Sequence, residues 1–401
     1  MLKFDVIVVG AGPAGSHAAW LLARQGWKVA LLDRERFPRD KVCGGGLSRK
    51  AIQLLPFDLA PVIHARVNAV SLKFASTEEI EFDAGTMAGC TVLRREFDSF
   101  LLEHAMAAGV HFFPGTPALR VEAGPESVCV HSTDRTFQGA WLLGADGVGS
   151  RVRRQVFGRN GVRYAPAVEM LLEPDPATLE RYQSRALLDM GGMPGGYGWV
   201  FPKRDHLNVG VFSIFGGRGI GGALDAFVAH DPALARARVR ARTGHNIPVS
   251  SLRECERGRV WLLGDAAGFV ESLFGEGIYF ALQSARLAAL CFAQAGGHPV
   301  PGDYSRLVGR WLLPEFRAAR ILSRAFFSWP RFAYRQITAS PRTLGWFAGV
   351  VTGEVSYRQC LGRSLAALPW WLLAGCFQRG ASGTCRAKQT MARRINSDPG
   401  N

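Results

Sequence analysis

The sequence has no Cys-x-x-Cys pair, no cysteine–histidine spacing suited to zinc, no internal repeat and no apolar run long enough to cross a bilayer unbroken. Its eight cysteines are scattered, so a zinc ribbon or a disulfide scaffold is excluded, and they read as reduced, small apolar side chains. No metal site is expected. No arginine-rich or apolar leader precedes the first strand pattern, which begins within four residues of Met1, so the expectation is a cytoplasmic protein. Acids are scarce relative to bases, 33 against 48, for a formal charge of +15 over 401 residues. With 48% hydrophobic and 20% charged residues, the composition is that of a globular chain able to build two domains, or one domain carrying an insertion.

What is present is concentrated at the N-terminus. Val6 to Val9 form an apolar β-branched run followed by Gly10-Ala-Gly12-Pro-Ala14-Gly15, the strand–turn–helix pattern that grips a dinucleotide pyrophosphate. Gly10 permits the tight turn, Gly12 lets the backbone approach a phosphate, and Gly15 lets the following helix press on the sheet. The helix offers free N–H groups and a positive dipole end to the anion. A second strand, 28–32, ends in Asp33, placed to accept ribose hydroxyls of a cofactor without a 2′-phosphate, FAD or NAD.

Further along, the pattern predicts two short strands over 67–82, an amphipathic helix over 95–108 with Phe97, Leu101, Leu102 and Ala105 on one face, and strands near 110–113, 118–122, 128–131 and 140–143. The motif Gly144-Ala-Asp146-Gly147 follows, with Ser150 and Arg153 on a helix over 150–157. From 161 to 251 the strands alternate with aromatics, and a core strand returns at 260–263. The fold class expected is α/β: a Rossmann-like cofactor domain interrupted by an antiparallel substrate domain, with a C-terminal helical region. The boundaries are 1–66, 90–160 and 252–300 for the cofactor domain, 67–89 and 161–251 for the substrate sheet, 301–378 for the helices and 379–401 for a disordered basic tail.

The second core strand ends in Gly264-Asp265, where an acid can accept a ribityl hydroxyl at the sheet's carboxyl edge. Gly275-Glu-Gly277-Ile278 then starts a long helix whose N–H groups can face the electron-rich edge of a flavin. One Gly-Asp at a strand end is commonplace; three such segments in one chain point to one ligand.

These residues resemble those of FAD enzymes with the para-hydroxybenzoate hydroxylase fold over residues 4 to 295, and most of all the geranylgeranyl reductase family. The match lies in Phe37-Pro-Arg-Asp-Lys-Val-Cys43-Gly-Gly-Gly-Leu-Ser48, in Arg94 before Phe97-Asp98, and in Tyr197-Gly-Trp199-Val-Phe201-Pro202 with Gly210 beyond. The resemblance implies FAD contacts at Ala14, Gly15, Asp33, Cys43, Gly44, Leu47, Arg94, Ala118, Asp265, Gly277 and Ile278, besides Gly10 and Gly12 of the fingerprint. It implies a substrate wall of Tyr197, Trp199, Phe201 and Gly210. Where the family motif has a second glycine this chain has Phe212, so neither the width nor the length of the cavity carries over. The alternation has period two and sets three aromatics on one sheet face, to wall a polyprenyl chain or to pack a core.

The reaction implied is hydrogenation of an isoprenoid double bond of a lipid. An isolated alkene needs hydride at one carbon and a proton at the other, in a dry, aromatic cavity. Cys43 is the residue expected nearest that chemistry, as a proton source or as a small filler beside the flavin. Tyr197 and Trp199 can stabilise developing positive charge through their π faces. Two alternatives stand. One is a monooxygenase or halogenase of the same fold, although the full Trp-x-Trp-x-Ile-Pro signature of halogenases is absent; the other is a flavoprotein that binds a lipid or quinone without reducing an alkene. No second nucleotide fingerprint is present, so the electron donor, NADPH or ferredoxin, stays open.

Residues 301–401 hold fifteen Arg and Lys against four acids, and eleven Trp and Phe among them. Basic residues mixed with tryptophan suit the surface of an anionic membrane better than nucleic acid, since Leu365-Ala-Ala-Leu-Pro-Trp-Trp-Leu-Leu-Ala374 is too apolar for a phosphate-tracking groove. The competing reading is a helical cap whose aromatics are core.

Overall fold

The computed structural model describes residues 1–75, 78–83, 88–158, 161–249, 254–294 and 299–377. The expected basic tail at 379–401 lies outside the described residues. The first sheet has eight strands, ordered Glu256–Arg257, Val260–Leu262, Thr136–Gly144, Leu2–Val9, Val29–Leu32 and His111–Phe113, with Val128–His131 and Arg120–Ala123 as an antiparallel arm. The central four pairings are parallel. Val6, Ile7 and Val8 are fully buried, the reason this strand reads as a continuous apolar run. The helix Pro13–Arg24 packs against Gly277–Gln294, joining the two ends of the cofactor half.

Expected and observed boundaries differ modestly. The arm strand starts at Arg120, leaving Ala118 in the loop before it, and the strand expected at 140–143 runs from Thr136 to Gly144. The amphipathic helix spans Arg94–Ala107 and buries Phe97, Leu101, Leu102 and Ala105.

A second sheet of seven strands runs in the order Arg238–Pro248, Tyr164–Glu173, Leu207–Ser213, Gly196–Pro202, Arg185–Asp189, Ala69–Phe74 and Glu78–Asp83. Only the Ala69–Phe74 and Arg185–Asp189 pair is parallel. Its two faces have different work. Met170, Leu172, Val200, Val209 and Val211 pack on one side against Leu224 and Phe227 of the helix Ile220–His230. The alternate residues look into a cavity between the two sheets. A third, three-stranded sheet of Gly46–Ser48, Gly89–Val92 and Ile63–Val67 carries the glycine loop to the cavity.

After the helix Gly277–Gln294 come Asp303–Trp311, Leu313–Ser328, Pro330–Thr338, Pro341–Thr352 and Tyr357–Phe377. Most of their phenylalanines and tyrosines are core, while three tryptophans are exposed. Phe316, Phe326, Phe327, Tyr334, Phe347 and Tyr357 are core, whereas Trp311, Trp329 and Trp370 are 52%, 68% and 74% exposed. The region is thus a packed cap with tryptophans on its exterior. No helix among the described residues is long and apolar enough to cross a membrane.

Candidate active site

The cavity has a volume of about 940 Å³ and extends from the N-terminal glycine turn to the aromatic strand. Gly10, Gly12, Ala14 and Asp33 form one end of its wall; Cys43, Gly44, Leu47 and Arg94 form the middle, with Ala118 beside the turn. Asp265 closes it from the turn after the second core strand, Gly277 and Ile278 from the start of the helix Gly277–Gln294, and Tyr197, Trp199 and Phe201 from the second sheet.

Two expected residues do not line it. Gly15 faces the sheet: a Cβ there would sit 1.8 Å from the Gly10 carbonyl oxygen, so this glycine allows close helix–strand packing. Gly210 lies under Trp199, and the indole fills the space a side chain would need. Its part is to seat the tryptophan, a correction to its expected place in the wall. Phe212 does line the cavity, its ring 5.7 Å from that of Tyr197.

The ends of the cavity suit a dinucleotide. Gly12 begins the helix Pro13–Arg24 with no side-chain cap, so its first-turn N–H groups are offered to an anion. Gly10 has φ +102°, which disfavours any side chain. Asp33 accepts the N–H groups of Ala11 at 2.7 Å and Glu35 at 2.9 Å, which fixes its carboxylate at the strand end. Asp146 accepts from Ser150 Oγ at 2.5 Å and from the N–H groups of Arg151 and Val152, capping that helix; burial pushes its carboxyl up despite these donors. The buried Arg153 donates to the carbonyls of Val148 and Ala266 at 2.9 and 3.0 Å, stitching the Asp146 turn to the Gly264–Ala267 turn.

Charge is arranged along the middle. Arg94 holds Asp98 through two hydrogen bonds of 2.7 Å, and Arg39 adds a third contact at 3.0 Å. Burial works against the Arg94 charge, but Asp98 outweighs it and raises its pKa. Burial likewise opposes ionised Asp265, yet Lys41 at 3.2 Å and Arg94 hold its carboxyl below the ordinary range.

The loop Cys43–Gly46 is pressed onto the aromatic strand. A Cβ at Gly44 would lie 3.0 Å from the Phe201 ring and 3.2 Å from Trp199 Nε1, and at Gly45, with φ +66°, 2.1 Å from the Val92 oxygen. Only glycines permit that approach. Lys203, 1% exposed, donates from Nζ to the carbonyls of Gly44 at 2.8 Å and Val92 at 3.0 Å. Burial lowers its pKa to about 8. Tyr197 donates its hydroxyl to the Phe274 carbonyl, and Trp199 Nε1 donates to Asn208 Oδ1 at 2.7 Å. The rings of Tyr197, Trp199 and Phe201 follow one another at 6.2 and 6.3 Å.

Sequence reasoning missed Glu169, Lys203, Asn208 and His245. Glu169 and His245 line the cavity, and Lys203 and Asn208 support it. A charge inside an apolar strand pattern, Glu169 in Ala165-x-Ala167-x-Glu169, was the available signal.

Comparison with known proteins agrees with this geometry. An FAD binding domain model matches residues 3–183. The chloroplastic geranylgeranyl diphosphate reductase of Oryza sativa subsp. japonica is 33% identical, over 81% of this chain and 75% of that protein. The menaquinone reductase of Mycolicibacterium smegmatis is 31% identical, over 82% of this chain and 86% of that one. Among solved structures, a geranylgeranyl bacteriochlorophyll reductase-like protein of Thermoplasma acidophilum superposes with a TM-score of 0.75 at 22% identity, covering 93% of this chain and 98% of the other. The flavin-dependent brominase Bmp2 also reaches 0.75, at 18% identity over 93% of this chain and 100% of the other. At those identities both structures share the fold alone.

Proposed function

The chain belongs to the geranylgeranyl reductase family of FAD-dependent oxidoreductases, and we propose that it hydrogenates carbon–carbon double bonds in the isoprenoid chain of a lipid. The observation that carries this reading is the row Tyr197, Trp199 and Phe201 lining the cavity, with the glycine loop pressed against Trp199 and Phe201. Reduced FAD, when bound, supplies hydride.

The residues of the chain supply the rest. Gly10, Gly12 and Ala14 would hold the pyrophosphate at the helix N-terminus, and Asp33 the adenosine ribose. Asp265, Arg94, Gly277 and Ile278 would hold the ribityl and ring end, with Leu47, Gly44 and Cys43 against the ring and Ala118 near the adenine side. Arg94 is kept extended by Asp98, so it reaches the cavity as a fixed charge. Tyr197, Trp199, Phe201 and Phe212 exclude water and present π faces to a carbon that gains positive charge. Cys43 stands nearest the reacting atoms, on a loop that Lys203 pins from behind.

In this reading residues 1–66, 90–160 and 252–300 form the FAD unit, 67–89 and 161–251 the substrate unit, and 301–378 a helical cap. The exposed tryptophans and arginines of that cap would rest on an anionic membrane from which a polyprenyl lipid is drawn. Polyprenyl diphosphates and prenylated quinones share the chemistry required, an apolar chain of trisubstituted alkenes. The test is anaerobic: the protein is reduced chemically and offered polyprenyl diphosphate, menaquinone or neutral prenol. The expected result is flavin reoxidation and a product heavier by two hydrogens per double bond. Reoxidation by oxygen with substrate hydroxylation or halogenation, and none by a polyprenyl lipid, would refute it.

A further inference from the structure

The hydride accounts for one of the two hydrogens added to an alkene, and the source of the other is legible in the second sheet. Trp199 pairs with Gly210, Gly210 with Glu169, and Glu169 with Thr243, a single row across four strands. Directly opposed residues of antiparallel strands project to the same face, here the cavity face. Since the indole occupies the space over Gly210, the Trp199 ring extends along the row toward Glu169. Glu169 lines the cavity and is only 6% exposed.

The other carboxyl groups of the cavity wall are committed. Asp265 pairs with Lys41, Glu276 with Lys50, Asp40 with Arg95 and Glu35 with Arg34. Asp33 and Asp146 lie at the N-terminal glycine turn, the end of the cavity away from the aromatic row, and are held there by backbone N–H groups. Among the described residues Glu169 forms no ion pair. The groups that face it are the Asn208 amide, the Thr243 hydroxyl and the N–H of Cys43, with Lys203 and Cys43 as charged or titratable neighbours. His245 faces the cavity two residues beyond Thr243 on the same strand.

We propose that Glu169 is the catalytic acid that delivers the proton to the alkene carbon not receiving hydride. This rests on the alkene-reduction reading above. The π bond breaks as hydride from reduced FAD forms one C–H bond. The O–H bond of Glu169 breaks, and its proton forms the other. The carboxylate regains a proton from water by way of Thr243, which is exposed on the edge strand Arg238–Pro248, and FAD is reduced again by a pyridine nucleotide or a reduced electron carrier. Burial pushes the Glu169 carboxyl up, in the direction an acid at neutral pH requires.

The test uses the holoenzyme and Glu169→Gln, which keeps shape while removing the acid. Two readouts are taken: the infrared C=O stretch of neutral carboxyl groups in the oxidised holoenzyme at pH 7, and the single-turnover rate at which polyprenyl substrate reoxidises the reduced flavin. The expected result is loss of one neutral-carboxyl band in the variant and a rate lower by about 10²- to 10⁴-fold, the range of general acid catalysis, with unchanged FAD content. A wild type that reduces the lipid while the variant matches it within about threefold, or loses no such band, overturns Glu169 alone. A wild type whose reduced flavin no polyprenyl lipid reoxidises overturns the alkene-reduction reading and the proton role with it. Should the variant not retain FAD, the wild type carries the test by itself. Its single-turnover rate then falls with rising pH at the midpoint where a neutral-carboxyl band is lost, and a rate that holds through that midpoint overturns the assignment.

Discussion

Gly210 and Trp199 face each other on adjacent antiparallel strands, and a Cβ on Gly210 would lie 2.2 Å from the indole ring. The aromatic wall therefore depends on a residue that is not part of it. Gly210→Ala should force the indole off its place and break its Nε1 hydrogen bond to Asn208, at a cost of about 1–3 kcal/mol for overpacking. The expected outcome is a lower melting temperature and slower alkene reduction with FAD still bound. Full activity on the same polyprenyl chain would show that the ring has room to move.

Gly10 and Gly12 separate fold from ligand. A Cβ at Gly10 would sit 2.3 Å from the Ala145 carbonyl oxygen at φ +102°, whereas at Gly12 the nearest protein atom is the tip of Arg39, 3.5 Å away. Gly10→Ala should destabilise the FAD-free protein by at least about 1 kcal/mol. Gly12→Ala should leave the FAD-free melting temperature unchanged yet abolish the yellow colour, because only an approaching pyrophosphate meets the new methyl group. A Gly12→Ala protein that retains FAD would mean the pyrophosphate does not lie there.

The contrast between these two glycines shows what the sequence made legible. Local patterns sufficed where one segment does one job: Val6 to Val9 as a buried strand, Gly10 as the turn, Asp33 at the strand end, and the period-two set of Tyr197, Trp199 and Phe201 on a single face. What escaped depends on pairing between strands distant in sequence. Gly210 reads as a ligand contact until the register sets it under Trp199. Glu169 reads as an ordinary acid until Tyr164–Glu173 is placed between Leu207–Ser213 and Arg238–Pro248 with its odd residues inward. Lys203 follows Pro202 in the chain, but only the loop folded over it explains a lysine without solvent.

His17 gives the fold an acid limit. It is 2% exposed on the helix Pro13–Arg24, with Nδ1 unpartnered and its ring stacked on Trp20. Burial, helped by Arg286, lowers its pKa from 6.5 to about 4. Between those values the unfolded chain binds a proton that the folded one refuses, so stability is full above about pH 6.5 and falls as pH drops toward 4, by roughly 3 kcal/mol in all. Urea midpoints at pH 7 and 4.5 should show this loss in the wild type and much less of it in His17→Leu. Equal losses in both would assign the acid sensitivity elsewhere.

Lys203 acts in the same direction at higher pH. Its pKa falls from 10.5 to about 8 through burial, so between those values the unfolded chain again holds the extra proton. Stability then rises with pH, and the cost of burying the charge, roughly 3 kcal/mol below pH 8, is relieved by pH 10.5. Lys203→Met removes this dependence and leaves the Gly44 and Val92 carbonyls without their donor. The stability of wild type relative to the variant should increase from pH 7.5 to 10.5, and amide exchange at residues 43–46 should be faster in the variant at every pH. A constant difference would mean that burial does not depress the Lys203 pKa, the amine staying charged in the folded protein over the same pH range as in the unfolded chain.

The tryptophans of the helical cap allow a test of the lipid surface that does not involve catalysis. Trp329 and Trp370 are 68% and 74% exposed, and Arg310 sits 5.3 Å over the ring of the half-exposed Trp311, while Phe316, Phe326, Phe327 and Phe347 of the cap are buried. A cap needing aromatics only for its core would not spend its largest apolar rings on solvent, whereas indole rings beside guanidinium groups suit the headgroup layer. The protein should co-sediment with vesicles containing phosphatidylglycerol and much less with phosphatidylcholine alone, with added salt releasing it. Trp329→Ser with Trp370→Ser should weaken that binding at least about tenfold without changing FAD content. Equal binding to neutral and anionic vesicles, or none to either, would remove the membrane from the account and leave these rings as exposed surface.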